Sequence, residues 1–231
     1  MKESIKKILK ILRNIFIIIF LSSIFITILY RFVPVPLTPL MVIRTGEQFF
    51  NDKKIKIKKD WVPISKISPN LVQAVVAGED NNFLIHFGFD LKAIKKAQDH
   101  NKKGKTTRGA STISQQTAKN VFLWPHRSYF RKGLEVYFTL LIEMFWSKER
   151  IMEVYLNVIE TGDGIYGAEA ASQAYFNKPA KNLTKSEAAL LSAVLPNPIE
   201  WRADKPGKYV YHRQYLILRL MDKIGPVNFD R

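Results

Sequence analysis

The sequence predicts a mainly α domain that follows one N-terminal transmembrane helix. Three observations support this fold class. An uncharged, apolar stretch of 17 residues lies between Arg13 and Arg31. Several later segments repeat apolar residues at helical spacing, behind residues that favour helix N-termini. Only one stretch, residues 53–60, alternates apolar and charged residues as a strand does.

The apolar stretch is predicted to belong to a transmembrane anchor over residues 14–33, because it approaches the roughly 20 residues that a spanning helix needs. A cleaved signal peptide is the alternative. The stretch is longer than a usual signal-peptide core, and no small-x-small cleavage site follows it before Arg31 and the segment VPVPLTP. These features favour an anchor that is retained.

Charge predicts the orientation and the class of partner. Residues 1–13 carry a net charge of +4, so the positive-inside rule places this basic tail in the cytoplasm and the rest of the chain outside. The outer part carries the remaining +12 of the total +16. An exported basic domain favours an anionic, lipid-linked partner and argues against nucleic acid. The absence of cysteine excludes disulfides and thiolate chemistry.

The elements after the anchor are predicted from local signals. Three prolines indicate an extended connector over residues 34–45, which leads into one domain over residues 46–231. The sequence KKIKIKKD, residues 53–60, predicts a short edge strand whose lysines face solvent or lipid head groups. Capping residues predict helices that begin at Ser68 and at Ser111 or Thr112. Apolar periodicity predicts two more, in RKGLEVYFTLLIEMFW and in SKERIMEVYLN. A last helix is predicted to begin at Thr184, whose spacing from Glu187 is that of a capping box.

Two acids, Glu79 and Asp80, follow the helix that begins at Ser68. Partial desolvation and the negative end of the helix dipole both favour a protonated carboxyl, so the pKa of Glu79 is expected to be raised. Such a carboxyl suits general acid or base catalysis. The two acids could equally be a polar cap ahead of a loop. The chain contains no HExxH and no acidic ligand cluster, so no catalytic zinc is predicted.

Two further segments place polar groups together. Gln115, Gln116 and Lys119 fall within one helical turn, just after a helix N-terminus that could bind a phosphate or a sugar chain. The alternative is a capped surface helix with solvated amides. Arg127, Arg131 and Glu135 recur at i, i+4, with Lys132 alongside. This stripe could be a salt-bridge ladder, or it could clamp a diphosphate.

The motifs together resemble a known family. EDNNFLIHFGFD, GASTISQQTAKN, RKGLE, KERIMEVYLNVIETGDGIYGAEAAS and LTKSEAALLSAVLPNP occur in the order found in peptidoglycan glycosyltransferases of glycosyltransferase family 51. The resemblance covers roughly residues 60–200, and the anchor and connector resemble those of the monofunctional members. Ala110 and Ser114 depart from the glycine and threonine that are usual in the family.

The resemblance implies a lysozyme-like domain of two lobes with a cleft between them, which polymerises lipid II with inversion and releases undecaprenyl diphosphate. It implies that Glu79 is the general base and Glu135 the second essential glutamate. The remaining site positions that it implies are substrate-binding, and they are Asp80, Phe83, His86, Ser111, Thr112, Gln115, Gln116, Lys119, Asn120, Arg127, Arg131 and Lys132.

The resemblance implies no obligatory cofactor and leaves room for a divalent Mg or Mn ion near Glu135. The expected partners are lipid II, the growing lipid-linked glycan chain and membrane phospholipid, and cell-wall assembly proteins are left open. The expected location is the bacterial cytoplasmic (inner) membrane. The protein would cross it once and hold its catalytic domain on the periplasmic side.

Three alternative functions would require different residues. A lytic transglycosylase or lysozyme-like hydrolase would also use a glutamate of raised pKa. Its leaving group is a neutral sugar, so it needs no basic cluster. A catalytically silent wall-assembly scaffold would not need both glutamates and the basic side chains. A bifunctional penicillin-binding protein is not expected, because the only Ser-x-x-Lys spacing, Ser4 to Lys7, falls in the tail.

Overall fold

The computed structural model describes residues 2–51, 54–104, 109–126 and 128–229. Within these ranges the chain forms ten α-helices and three short strands, which confirms the prediction of a mainly α protein behind one apolar N-terminal helix. The helices are α1 (Lys2–Tyr30), α2 (Pro39–Phe50), α3 (Pro69–Glu79), α4 (Leu91–Lys102), α5 (Ile113–Phe122), α6 (Tyr129–Phe145), α7 (Lys148–Val158), α8 (Ala168–Phe176), α9 (Lys185–Val194) and α10 (Lys208–Ile224). The strands are β1 (Lys58–Lys59), β2 (Glu160–Gly162) and β3 (Ile165–Tyr166).

Helix α1 is long and apolar enough to cross a membrane, and it runs through both the predicted tail and most of the predicted anchor. Its C-terminal end contacts the rest of the protein. Trp146 Nε1 donates to the Thr27 carbonyl at 2.7 Å, and the Arg150 guanidinium donates to the Tyr30 carbonyl at 2.7 Å. The last carbonyls of a helix have no partner within it, so Arg150 satisfies one of them. The anchor is therefore docked on the region that joins α6 and α7.

The predicted connector is shorter in the structure. The prediction of extended chain over residues 34–45 is wrong from residue 39 onward, because α2 begins at Pro39. Thr38 is the N-cap, and its hydroxyl accepts from the Met41 amide at 3.3 Å. Proline suits the first helical position as well as it suits extended chain, since the amide it lacks would have no partner there. The prolines alone could not separate the two structures.

The three strands form one small sheet in the order β1-β3-β2, with β1 parallel to β3 and β2 antiparallel to it. The predicted edge strand is confirmed only at Lys58 and Lys59, where the Lys58 amide donates to the Gly164 carbonyl at 2.8 Å. Residues 54–57 are not in a strand, and residue 53 lies outside the described residues. The ladder is short because the partner strand β3 is itself only two residues long.

The helix starts agree with the capping signals. Ser68 precedes α3, Thr112 precedes α5, and Ser147 precedes α7, and each side chain accepts from an amide of the first turn. The capping box of Thr184 and Glu187 at α9 is also present. Helices α3, α9 and α10 pack together, as do α5, α6 and α7, around one shared apolar core. Local sequence therefore determined where these helices begin, and packing determined their arrangement.

Gly78, the residue before Glu79, permits the close approach of α3 to its neighbours. A Cβ at this position would lie 2.6 Å from Ser192 Oγ of α9 and 3.2 Å from Ile217 Cδ1 of α10. A larger residue would therefore have to displace the side chains of Ser192 and Ile217. The glycine brings the C-terminal end of α3, and with it Glu79, against α9 and α10.

Candidate active site

Glu79 is the last residue of α3, and its side chain is only 14% exposed. Its Oε2 atom accepts a hydrogen bond from Gln116 Nε2 at 2.9 Å, and its Oε1 atom lies 3.7 Å from the guanidinium of Arg213. Burial raises the pKa of Glu79, while Gln116, Arg213 and Lys119 act in the opposite direction. The expected direction of the pKa shift is confirmed. A carboxylate in this environment is a stronger base than a solvated one.

Gln116 is oriented by a buried tyrosine. The Tyr155 hydroxyl of α7 donates to Gln116 Oε1 at 3.2 Å. Burial, together with the charges of Glu79 and Asp80, raises the pKa of Tyr155, so the phenol remains a neutral donor. Because the amide oxygen is occupied, the amide nitrogen faces Glu79. Sequence reasoning missed Tyr155; the one available signal was a tyrosine on an apolar helix face, whose hydroxyl requires a partner when buried.

Asp80 has a different environment from Glu79. Its Oδ2 atom accepts from the Ile113 amide, the first residue of α5, at 3.0 Å, and both carboxylate oxygens lie 3.0 Å from His86 Nε2. The N-terminus of a helix attracts an anion. The sequence left open whether the start of α5 binds a phosphate or a sugar chain or is a capped surface helix; the anion that the structure places there is Asp80. This contact ties the loop after α3 to α5.

The hydroxyl and amide residues around the start of α5 have separate positions. Thr112 and Gln115 are buried and form a capping box, in which Thr112 Oγ1 also donates to the Gly88 carbonyl at 2.7 Å. Their polar atoms are thus used within the protein. Ser111 is exposed and lines a cleft of about 370 Å³ that also contains Glu79, Asn82 and Lys92.

Phe83 and His86 belong to the loop that follows Asp80. Phe83 is fully buried in the core, and Lys148 Nζ lies 4.7 Å from the centre of its ring. The same ammonium donates to the His86 carbonyl and to Glu143, both at 2.7 Å. Lys148 and Glu143 therefore hold this loop in place. Sequence reasoning missed both, because a lysine and a glutamate on neighbouring helices carry no local sign of being paired.

The basic stripe on α6 is buried over part of its length. Glu135 is 3% exposed; its Oε2 accepts from Arg131 at 2.9 Å and its Oε1 from Lys132 at 2.5 Å. The i, i+4 pairing of Arg131 with Glu135 is confirmed, but the pair is buried, unlike a solvated surface ladder. Lys132 is about half exposed. Arg127 lies outside the described residues, so its predicted place on this stripe stays a prediction.

Lys119 of α5 lies within electrostatic reach of both Glu79 and Glu135. Burial lowers its pKa most strongly, Glu135 and Glu79 raise it, and Arg131 and Lys132 lower it. We call Lys119, Arg131 and Lys132 the cationic cluster. Two buried donors, Asn120 Nδ2 on α5 and Arg131 Nε on α6, have no hydrogen-bond partner among the described residues. Buried donors without partners are costly, and both of these atoms are enclosed by protein.

The residues present do not fit a divalent cation near Glu135. Both carboxylate oxygens of Glu135 are already paired with cationic side chains. Across the ranges that the structure describes, no group of three His, Asp or Glu side chains could hold a metal ion. A divalent ion needs several oxygen ligands, and the cationic cluster would repel it. No step of the chemistry below depends on a metal.

Gly88 in the loop after α3 provides a test of how tightly this loop is held. Its φ is +77°, and a Cβ there would lie 2.7 Å from Thr139 Cγ2 and 3.1 Å from Glu143 Cγ. We expect Gly88→Ala to lower the free energy of unfolding by about 1–3 kcal/mol through this backbone strain and the clash, measured by thermal unfolding. Gly46→Ala is the control, because Gly46 is helical and has no atom within 4 Å of its added Cβ; it should leave stability unchanged or raise it. An unchanged melting temperature for Gly88→Ala would contradict a rigid loop.

The sequence matches one family model and several curated relatives. A family model described as Transglycosylase matches residues 47–222. Curated relatives named biosynthetic peptidoglycan transglycosylase are similar over most of both chains. The protein from Bacteroides thetaiotaomicron is 57% identical over 95% of this chain and 89% of its own length. The protein from Bdellovibrio bacteriovorus is 56% identical over 91% and 83%, and that from Caulobacter vibrioides is 54% identical over 88% of each.

Proposed function

Because the chain belongs to the transglycosylase family, we propose that it polymerises lipid II into the glycan strands of peptidoglycan. The observation that best supports this function is the buried Glu79, whose pKa is raised. Lys119 acts electrostatically on Glu79 and also on the buried ion pair of Arg131 with Glu135. A base and a cationic cluster at one site suit a glycosyl transfer that releases an anion. The names of relatives that are 54–57% identical support the same activity.

Glu79 acts as the general base in this proposal. Its carboxylate takes the proton of the 4-hydroxyl of the acceptor N-acetylglucosamine, and that oxygen attacks the anomeric carbon of the donor chain with inversion. The bond between the anomeric carbon and the diphosphate oxygen breaks in the same transfer. The raised pKa of Glu79 supports this role, since a base works best when its pKa is close to the working pH.

The cationic cluster binds the departing undecaprenyl diphosphate. Negative charge grows on the bridging oxygen as the bond breaks, and preorganised cations stabilise that charge. Glu135 positions Arg131 and Lys132 through direct ion pairs. The arginine can also hold two phosphate oxygens at once.

The other predicted residues have supporting roles. Asp80, Thr112 and Gln115 fix the start of α5, while Phe83 and His86 fix the loop that follows Glu79. Ser111 faces the cleft beside Glu79 and is placed to contact the sugar chain. Contacts with cell-wall assembly proteins stay a prediction.

The lytic and scaffold alternatives are not favoured. A murein-cleaving enzyme releases a neutral sugar and gains nothing from buried cations near its base. A silent scaffold would have no reason to bury Glu79 and Glu135 in contact with donors. Synthesis from a lipid diphosphate uses both the buried cations and the buried glutamates.

The N-terminal helix fits a membrane-anchored enzyme that acts on a lipid-linked substrate at the periplasmic side. The orientation that we propose leaves the basic tail, residues 1–13, in the cytoplasm and the catalytic domain outside. Because the end of α1 is hydrogen-bonded to Trp146 and Arg150, the anchor also holds α6 at a defined distance from the bilayer.

The function is tested with the full chain, purified in detergent and incubated with labelled lipid II. We expect polymer that is separated by size and digested by lysozyme, with no release of fragments from finished peptidoglycan. Fragments from finished peptidoglycan without any polymer would overturn the proposal in favour of the lytic alternative. Absence of both products from a folded preparation would favour the scaffold.

A further inference from the structure

One charged neighbour of Glu79, Arg213, lies outside every motif singled out in the sequence. Arg213 is on α10, and its guanidinium lies 3.7 Å from Glu79 Oε1. Its Nε donates to the Ala193 carbonyl at 3.2 Å, near the C-terminal end of α9. Carbonyls in the last turn of a helix lack partners within it, so this bond anchors the arginine to a fixed point. The side chain is 24% exposed and therefore only partly solvated.

The helices that carry Glu79 and Arg213 are fastened to each other. Gln73 Nε2 of α3 donates to the carbonyls of Met221 and Gly225 at the end of α10, at 2.8 and 2.7 Å. Ser192 Oγ of α9 donates to the Ala74 carbonyl of α3 at 3.0 Å. Together with the close packing at Gly78, these bonds fix the separation of the carboxylate and the guanidinium.

The two carboxylate oxygens of Glu79 have different surroundings. Oε2 accepts a hydrogen bond from Gln116, which Tyr155 holds in one orientation. Oε1 faces Arg213 at 3.7 Å, which is too long for a direct hydrogen bond. The positive charge of Arg213 therefore acts on Oε1, while the lone pairs of Oε1 can still accept a hydrogen bond from a substrate hydroxyl.

We propose that Arg213 is a positioning residue for the reaction: it keeps Glu79 ionised and directs Oε1 towards the acceptor hydroxyl, while Gln116 and Tyr155 fix Oε2. This inference rests on the proposed function of Glu79 as the base. It assigns a task to α10, which contains none of the motifs that resemble the family. Arg213 is not itself required to contact the substrate.

The charged groups around Glu79 give the sign of the expected pH effect. The charged groups are Asp80 after α3, Lys119 on α5 and Arg213 on α10, and the neutral, titratable phenol of Tyr155 lies on α7. The charged side chains of α9, Lys185 and Glu187, are paired with Asp222 and Lys178 instead. Burial and Asp80 raise the pKa of Glu79, and Arg213 opposes them. Loss of the guanidinium should therefore raise this pKa further, so the base becomes protonated at a higher pH.

The test is the pH profile of lipid II polymerisation by the full chain carrying Arg213→Gln. In the plot of kcat against pH, we expect the rise on the acid side (the acid limb) to move to higher pH by about one unit. At pH values below this rise, kcat should fall about tenfold; at pH values above it, kcat should fall much less. Arg213→Lys should recover part of the shift, because an ammonium keeps the charge but lacks the fork that reaches Ala193. Tyr155→Phe should shift the limb in the same direction by a smaller amount, since it releases Gln116.

Arg219→Gln is the matched control. Arg219 lies on the same helix, is exposed and contacts the ring of Tyr215 with its guanidinium 5.8 Å from the ring centre. It should leave the acid limb unchanged. An Arg213→Gln enzyme with a raised KM and an unmoved limb would overturn the proposal, because Arg213 would then bind substrate directly. Normal kinetics in that variant would also overturn it.

A second readout does not depend on activity. Because burial raises the pKa of Glu79 in the folded state, ionisation of Glu79 lowers stability as the pH rises through its unfolded and then its folded pKa. Arg213→Gln should increase this loss of stability. The melting temperature of the variant should therefore lie further below that of wild type at high pH than at low pH. The difference should vanish when Glu79 is replaced by Gln. If wild type makes no polymer, the proposed function fails, whereas failure of this coupling would sink the role of Arg213 alone.

Discussion

Glu79→Gln is expected to lose polymerisation while the protein stays folded. The amide has the same shape as the carboxyl but cannot take the proton of the acceptor hydroxyl. General base catalysis typically contributes a factor of about 10²–10⁴ to the rate, and we expect a loss within that range. The melting temperature should be unchanged or slightly higher, because burial disfavours the charged form of Glu79. Polymerisation rate and thermal unfolding are measured on the same preparation.

Glu149→Gln is the matched control for this substitution. Glu149 is exposed in the first turn of α7, away from the base and the cationic cluster, so its amide should polymerise at the wild-type rate. A Glu79→Gln protein with near-normal turnover would remove Glu79 from the mechanism. A protein that is inactive and also unfolded would instead show that Gln cannot keep the contacts of Glu79 with α5.

Lys119→Ala and Arg131→Ala are each expected to slow polymerisation about a hundred- to thousandfold, equal to about 2.7–4 kcal/mol of transition-state stabilisation. In the proposed mechanism, both cations act on the charge that grows on the departing diphosphate. They should differ in stability. Removing Lys119 also removes the cost of burying its charge, so the melting temperature of the Lys119→Ala protein should change little. Arg131→Ala leaves the buried Glu135 with one partner fewer, so its melting temperature should fall.

Lys95→Ala is the control for lost charge. Lys95 is exposed on α4 and lies outside both the cleft and the cationic cluster, so its removal should leave the rate unchanged. Arg131→Lys should restore part of the rate, because an ammonium keeps the charge without the paired contacts of a guanidinium. Normal rates in both Lys119→Ala and Arg131→Ala would contradict the diphosphate site and support a purely structural ion pair.

The sequence by itself determined the features of this protein that depend on neighbouring residues. Caps at Ser68 and Thr184 located the starts of two helices and narrowed the start of α5 to Ser111 or Thr112, because a capping side chain bonds amides only two or three residues ahead. The i, i+4 spacing of Arg131 and Glu135 located their pairing for the same reason. The place of Glu79 at the end of an apolar helix was sufficient to give the direction of its pKa shift.

The tertiary structure alone decided which distant groups meet at Glu79. Arg213 reaches its carboxylate because Gly78 lets α3 approach α9 and α10, and Tyr155 fixes Gln116 from a third helix. Packing also decided that the α6 ion pair is buried and that Asp80 occupies the N-terminus of α5. Capping and periodicity act over a few residues, whereas burial and charge proximity are set by how whole helices pack. The sequence could therefore single out Glu79 as a candidate base, but not the distant groups that surround its carboxylate.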